Sequence, residues 1–338
     1  MSKFGLMIFR NAILVFLLSV FTPITVLSAQ AISLRMATNV PMNSPWGLGL
    51  QCTAAEFNRV SAGKVKIVFQ PSAHVATESD IIQKMRLGTD GALLSTYGLA
   101  ELYPDSLALS MPGFIRDDAE FDAVLAAVAP LIQSKLEDRY VVLGLSRGGW
   151  VRYFAKSQIV YPSDLATLRI SLESSDDKEK RLMQSIGARV ISGSMSDFLL
   201  RINSNAVDAT CESPLYIAAL WSQLRGKIAY MSAFKVAPFI GAIVFNKSSW
   251  DKIPAELRYR LEQIITNSAK KIGIDSEKLE ADAIASLDGI RIPPEPTDAA
   301  VKWAEVYAQW RDGPIAQMFS ADILATMDEA LAKVRQSK

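Results

Sequence analysis

The sequence predicts an α/β protein of two lobes, finished by a set of C-terminal helices. Three patterns carry that prediction. Residues 32 to 98 alternate strand and helix, which implies a largely parallel sheet covered by helices. A second alternation of the same kind runs from Leu168 to Ala209. From Ala255 onward the apolar spacing is helical.

Ile32-Ser-Leu-Arg-Met-Ala-Thr reads as the first strand, and Asn39 to Trp46 as the loop after it. Ser44-Pro45 is a helix start, because proline tolerates the first helical position. That helix runs to about Ser61 and Gly63 stops it. Val65-Lys-Ile-Val-Phe69 alternates as a strand should, Thr77 to Leu87 forms a helix, and Gly91 to Ser95 is a short buried strand. Ligands of such sheets sit beyond the carboxyl ends of the strands. One rim therefore gathers Asn39 to Trp46, Ser72 to Glu78, and Ser95 to Gly98.

A helix from about Asp117 to Leu136 leads to a strand, Tyr140 to Leu145. The chain then crosses Gly148-Gly149 into a separate strand, Val151 to Phe154. The second unit follows: strand Leu168–Leu172, helix Asp176–Ile186, strand Val190-Ile191, helix Ser196–Asn203, strand Ala206–Ala209. Ile240 to Phe245 returns to strand and leads back toward the first lobe. Pro254 takes the first position of a long helix, Ala255 to Leu287. Thr297–Trp310 and Ala321–Val334 are the last two helices.

The first 31 residues read as an export signal. Lys3 and Arg10 precede an apolar run, Ala12 to Phe21, and Ala29-Gln30-Ala31 fits a small-x-small cleavage site. The run is too short for a good membrane span. Cleavage removes two basic residues and no acid, so 34 basic residues face 35 acidic ones. With no basic run or arginine-rich face, nucleic acid is not an expected partner. Cys52 and Cys211 are far apart, lack Cys-x-x-Cys spacing, and are not expected to bond or to hold metal.

The chemistry-bearing stretch runs from Arg147 to Tyr216. It holds Gly148-Gly-Trp-Val-Arg-Tyr-Phe154, Tyr161-Pro-Ser-Asp-Leu-Ala-Thr-Leu-Arg-Ile-Ser171 and Asn205-Ala-Val-Asp-Ala-Thr-Cys-Glu-Ser-Pro214. Leu34-Arg-Met-Ala-Thr with Ser44-Pro-Trp, Gln70-Pro-Ser-Ala-His, Leu87-Gly-Thr-Asp-Gly-Ala and Ser249-Trp-Asp-Lys-Ile-Pro stand around it. In that order and spacing the chain resembles the DctP-type solute-binding proteins of TRAP transporters. The resemblance implies a two-lobed periplasmic-binding-protein fold with a hinge. It implies lobe I from residues 32–152 plus about 238–275, and lobe II from 153–237 plus the C-terminal helices to 338. It also implies a periplasmic protein that traps a small organic ligand between its lobes, without a cofactor, and delivers it to the TRAP membrane subunits.

The resemblance fails at one residue. Family members carry an arginine after an Asp-Leu-x-Gly-Leu-Lys-Ile lead-in, and its planar paired donors match a carboxylate. Here Asp164-Leu-Ala-Thr-Leu-Arg-Ile is followed by Ser171. Arg169 shares that strand face, and Arg152 matches a second cleft arginine of the family; either can replace it. Arg152 either grips ligand or forms a structural ion pair with Glu173 or Glu212. The expected ligand is a mono-acid held by Arg152, or a neutral or apolar molecule held by aromatics. A branch of the family that lacks the same arginine implies a periplasmic helical-repeat protein as an alternative partner and hydrophobic ligands; delivery to a sensor is a further alternative.

The candidate ligand residues are Asn39, Trp46, Glu78, Tyr97, Trp150, Arg152, Ser171, Glu173, Ser213, Tyr216 and Phe234. Aromatics suit an apolar wall, and the glutamates accept hydrogen bonds from a hydroxyl or amine. Asp208 reads as structural. An exported enzyme is disfavoured, since His74 is the sole histidine and no zinc-protease, P-loop or dinucleotide motif occurs.

Overall fold

The computed structural model describes residues 31–40, 42, 44–71, 77–172, 177–313 and 316–337. Residues 1–30 of the export signal, His74 and Glu173 lie outside the described residues. No helix among the described residues is long and apolar enough to cross a membrane.

The first unit is β1 (Ile32–Thr38), α1 (Pro45–Val60), β2 (Val65–Pro71), α2 (Glu78–Arg86), β3 (Gly91–Ser95) and α3 (Thr96–Leu102). Local chemistry sets the helix starts. Ser44 Oγ accepts the Gly47 amide at 3.2 Å with Pro45 behind it, and Thr77 and Asp80 form a reciprocal capping box on α2. After a 3₁₀ turn, Asp117 caps α4 (Asp118–Leu136), which leads into β4 (Tyr140–Ala155).

The second unit is β5 (Arg169–Leu172), α5 (Asp177–Ser185), β6 (Arg189–Ser192), α6 (Met195–Asn203) and β7 (Ala209–Glu212). Then come α7 (Pro214–Ala219), α8 (Trp221–Leu224), β8 (Tyr230–Met231), β9 (Ala237–Asn246) and α9 (Lys247–Trp250). The chain ends in α10 (Ala255–Ala285), α11 (Thr297–Asp312) and α12 (Ala321–Gln336).

Among the described residues the nine strands form one sheet in the order β2-β1-β3-β9-β4-β7-β5-β6, with β8 on β4. β2, β1 and β3 run parallel, as do β6, β5 and β7. The two parallel sets are joined through antiparallel β9 and β4. The sheet is thus more mixed than expected, because β9 enters between β3 and β4 against their direction. β4 bonds to β9 as far as Val151–Ala237 and to β7 from Arg152–Glu212 onward.

Three boundary expectations need correction. Tyr140–Ala155 is one strand, where Gly148-Gly149 suggested two. Its register on β9 slips between Leu143 and Ser146 and again between Arg147 and Gly149, and the bulges absorb the glycines without ending the strand. The strand expected at Ala206 begins at Ala209, because residues 206–208 are spent closing α6 and bonding to β5. Pro254 is the cap of α10 with φ −52° and ψ 137°, one residue before the helix.

The core lies on both faces. Phe121, Val124, Val128 and Ile132 of α4 are fully buried in its largest cluster, and Leu34, Phe57, Trp250, Leu261 and Ile265 form a second. A third, around Phe154, Phe198, Ile202 and Ile217, lies under the second unit. Both cysteines are free: Cys52 is exposed, and burial pushes the Cys211 thiol well up.

Candidate functional site

The carboxyl ends of β1 and β3 and the start of α2 converge on Glu78. Glu78 is 6% exposed. Its Oε1 accepts the Asn39 side-chain amide at 3.3 Å and the Ser95 backbone N–H at 3.3 Å. Ser95 in turn caps α3 by accepting the Tyr97 amide at 3.1 Å. Gly98 leaves room for this carboxylate; a β-carbon there would overlap Glu78 Oε2. One glutamate thus ties together three loop ends of the first unit.

In front of it opens a cavity walled by residues of both units. Asn39, Trp46, Glu78, Ser95 and Tyr97 line one side. Glu212 and Tyr216 reach it from the second unit, and Arg147 and Phe239 from the two long strands. The Trp46 and Phe239 rings lie 5.8 Å apart, tilted by 35°. Tyr97 Oη donates to Glu179 of α5 at 3.4 Å, so a first-unit aromatic already touches the second unit.

Five of the eleven residues singled out from the sequence, Asn39, Trp46, Glu78, Tyr97 and Tyr216, therefore meet around one cavity. Trp150 and Arg152 line a separate pocket with Asp118, Lys235 and Glu280. Arg152 Nε donates to Glu280 Oε1 at 3.2 Å, and its Nη1 donates to the Ala233 and Ser232 carbonyls. Among the described residues its ion-pair partner is Glu280 of α10, where Glu173 or Glu212 was expected; Glu173 lies outside them. Both side chains are about nine-tenths buried, so each charge needs the other. The Trp150 indole donates to Asp118 at 2.7 Å and carries Lys235 over its ring.

Ser171 is buried on β5, and its carbonyl accepts the Thr210 hydroxyl at 3.1 Å. Ser213 is buried at the start of α7, and its hydroxyl has no hydrogen-bond partner among the described residues. Phe234 packs on Trp303 at 4.9 Å and Tyr153 at 6.1 Å. None of the three is among the residues that line the cavity. Arg169 forks onto Asp208, with Nε–Oδ2 at 2.7 Å and Nη2–Oδ1 at 2.8 Å. Those bonds hold the Asp208 carboxyl down at about 2.

Sequence reasoning did not single out Arg147, Glu212 or Phe239 as ligand residues. Arg147 Nη1 lies 3.0 Å from Asp118 Oδ2. Its Nε lies 2.8 Å from Asp122 Oδ1 but off the N–H direction, an ion pair without a hydrogen bond. The β4 bulges that turn Arg147 toward the cavity leave no periodic signal. Phe239 was within reach of the strand alternation, given that Ile240 and Ala242 are buried beside it.

Sequence reasoning counted the Gly-x-Ser-x-Gly pattern of nucleophilic serines as absent, and Gly144-Leu-Ser-Arg-Gly148 corrects that. That pattern works at a strained strand-to-helix turn. Here it lies inside β4, which continues as strand to Ala155. The serine therefore lines the cavity wall without the elbow that would activate it.

The profile of the bacterial extracellular solute-binding proteins, family 7, matches residues 36–312. The C4-dicarboxylate-binding periplasmic protein DctP of Rhodobacter capsulatus is 21% identical over 319 residues, covering 90% of this chain and 92% of that protein. A TRAP periplasmic solute-binding protein from Desulfovibrio salexigens, solved with bound orotic acid, superposes with a TM-score of 0.80 at 14% identity, covering 90% of this chain and 99% of that one. One from Haemophilus influenzae, solved with bound L-gulonate, gives 0.78 at 17% identity over 90% and 99% of the two chains. Family match, mixed two-lobed fold and strand-end cavity agree: the chain belongs to the bacterial extracellular solute-binding proteins of family 7, the DctP-type binding proteins of TRAP transporters.

Proposed function

We propose that this chain traps one small organic molecule in the cavity of Asn39, Trp46, Glu78, Tyr97 and Tyr216, and passes it from the periplasm to TRAP membrane subunits. One observation carries the reading. Loop ends of the first unit and Glu212 and Tyr216 of the second meet around a single aromatic-walled cavity. A hinge between the units, where β4 changes partner from β9 to β7, lets such a cavity open and close.

Two of the relatives were solved with orotic acid and L-gulonate bound, and a third is named for binding C4-dicarboxylates. The cargo here differs from a dicarboxylate. Ser171 stands where the family's arginine is expected, Arg169 is held by Asp208, and Arg152 is held by Glu280. A mono-acid gripped by Arg152 would have to displace a buried carboxylate, so a neutral ligand held by the aromatic wall fits better.

A thermal-shift screen of residues 32–338 against organic acids, amines, alcohols and apolar compounds tests this. A ligand at a hundred times its dissociation constant stabilises by about 2.7 kcal/mol. The expected result is a raised melting temperature that Trp46→Ala with Tyr97→Ala abolishes. A shift of equal size in that double variant would sink the assignment of the cavity.

A further inference from the structure

The cavity extends along the sheet, away from the rim. Strand register puts Ser95, Gly241 and Ser146 in one row across β3, β9 and β4, and Leu93, Ile243 and Leu143 in the next row on the same face. Phe239 and Ile243 both line the cavity, so it follows β9 for about 13 Å. Its two ends differ in chemistry. At the rim stand Asn39, Glu78, Ser95, Tyr97, Glu212 and Tyr216, joined by Ser146 and Arg147 of β4. That end holds donors and acceptors together, and it does not by itself fix one head group. The other end is Leu50, Leu93, Ile243, Ala269 and Ile272, side chains without a polar atom. Leu50 follows Trp46 by one turn of α1, and Ile272 follows Ala269 on α10, so each helix turns one apolar face to the sheet.

Gly241 lies on the floor between the two ends. It is inside β9, with strands on both sides, and its backbone is not in the left-handed region. A β-carbon there would meet nothing nearer than Ser146 Oγ at 3.9 Å. Gly144 and Gly148 differ: β-carbons there would come within 2.7 Å of Ile265 and 2.5 Å of Phe239. Neither packing nor backbone geometry therefore requires a glycine at 241. A glycine in a strand interior marks a place where another group approaches the backbone closely.

We propose that the apolar end is a tail channel, which takes the hydrocarbon body of the solute between the sheet and helices α1 and α10, and that Gly241 sets the length of tail that fits. The tail lies along the bare backbone of β9, and the head group stays among the polar residues of the rim. The inference rests on the cavity being the solute site.

The test measures binding to purified residues 32–338 of straight-chain compounds with butyl, hexyl and octyl tails, each offered as alcohol, amine and carboxylate. In whichever head-group series binds, each added pair of methylenes is expected to tighten binding about tenfold. Gly241→Val then weakens the octyl compound at least about tenfold and the butyl compound less than about threefold, because the new side chain occupies channel and not rim. Gly241→Ala covers the case in which valine does not fold, since its methyl group has 3.9 Å of clearance. It is expected to weaken the octyl compound about threefold and leave the butyl compound unchanged. Melting temperatures of the ligand-free variants separate these losses from misfolding.

Equal binding of butyl and octyl compounds overturns the channel, as do equal losses of both in the folded Gly241 variants. Either result leaves the solute-trap reading intact as long as Trp46→Ala with Tyr97→Ala abolishes binding. If no compound of these series binds, the ligand found by the broader screen takes their place. A loss of at least about tenfold in Gly241→Val, or about threefold in Gly241→Ala, then supports the channel, and a smaller loss overturns it. A broader screen with no ligand at all overturns both readings.

Discussion

Asp208 shows how one carboxylate settles the role of an arginine. It receives two bonds from the Arg169 guanidinium and one from the Arg169 amide, with Lys156 nearby at 3.6 Å. These hold its carboxyl at about 2, below the ordinary 3.8. A folded-state value below the unfolded one gives stability that is full above pH 4 and lost as pH falls from about 4 to about 2. The shift corresponds to about 2 kcal/mol, which the part-exposed Arg169 reduces. Asp208→Asn is therefore expected to cost about 1–2 kcal/mol at pH 7, measured by urea unfolding, and to flatten the loss of stability between pH 4 and 2. An unchanged acid limb in the variant would assign that limb to other carboxylates. Arg169 and Asp208 were both visible in the sequence, but their pairing was not, since β5 and the turn before β7 meet only through sheet register. Arg152 was legible as a buried charge needing a partner. Its partner, Glu280, lies 128 residues away on α10, a distance over which spacing carries no information.

Strands and helices were legible where local chemistry decides them. Ser44-Pro45, the helical stretch of Thr77 to Leu87, and the alternation of Val65 to Phe69 placed α1, α2 and β2 within a residue or two. β4 was misread because glycine pairs usually break strands, whereas here tertiary pairing with β9 holds the chain extended across two bulges. Gly144 sits at the first of them with φ +63°, and a β-carbon there would lie 2.7 Å from Ile265 Cγ2 of α10. Gly144→Ala is expected to cost about 1–3 kcal/mol, from backbone strain and overpacking together. Chemical denaturation checks this, and a change below about 0.5 kcal/mol would mean that β4 relaxes around the side chain. The same bulges explain why Arg147 and Ser146 reach the cavity wall without fitting the period-2 rule.

For the molecule as a whole, strand–helix alternation predicts a ligand rim at the carboxyl ends of the first strands. Of its described members, Asn39, Val40, Trp46, Glu78, Ser95 and Tyr97 stand around one cavity, and Met42, Ser44, Thr77, Thr96 and Gly98 do not line it. The opposite wall was harder to foresee, because Glu212, Tyr216 and Phe239 come from segments that approach the rim only after β9 has inserted beside β4. The family match and fold establish a binding protein; the particular cavity is the claim that most needs a direct measurement. That measurement is hydrogen exchange of the ligand-loaded chain against the ligand-free chain. Binding in this cavity is expected to slow exchange together at residues 95–98, 146–148, 212–216 and 239–241, segments that belong to both units. Slowing confined to one unit, or centred on the pocket of Trp150, Arg152 and Lys235, would contradict it.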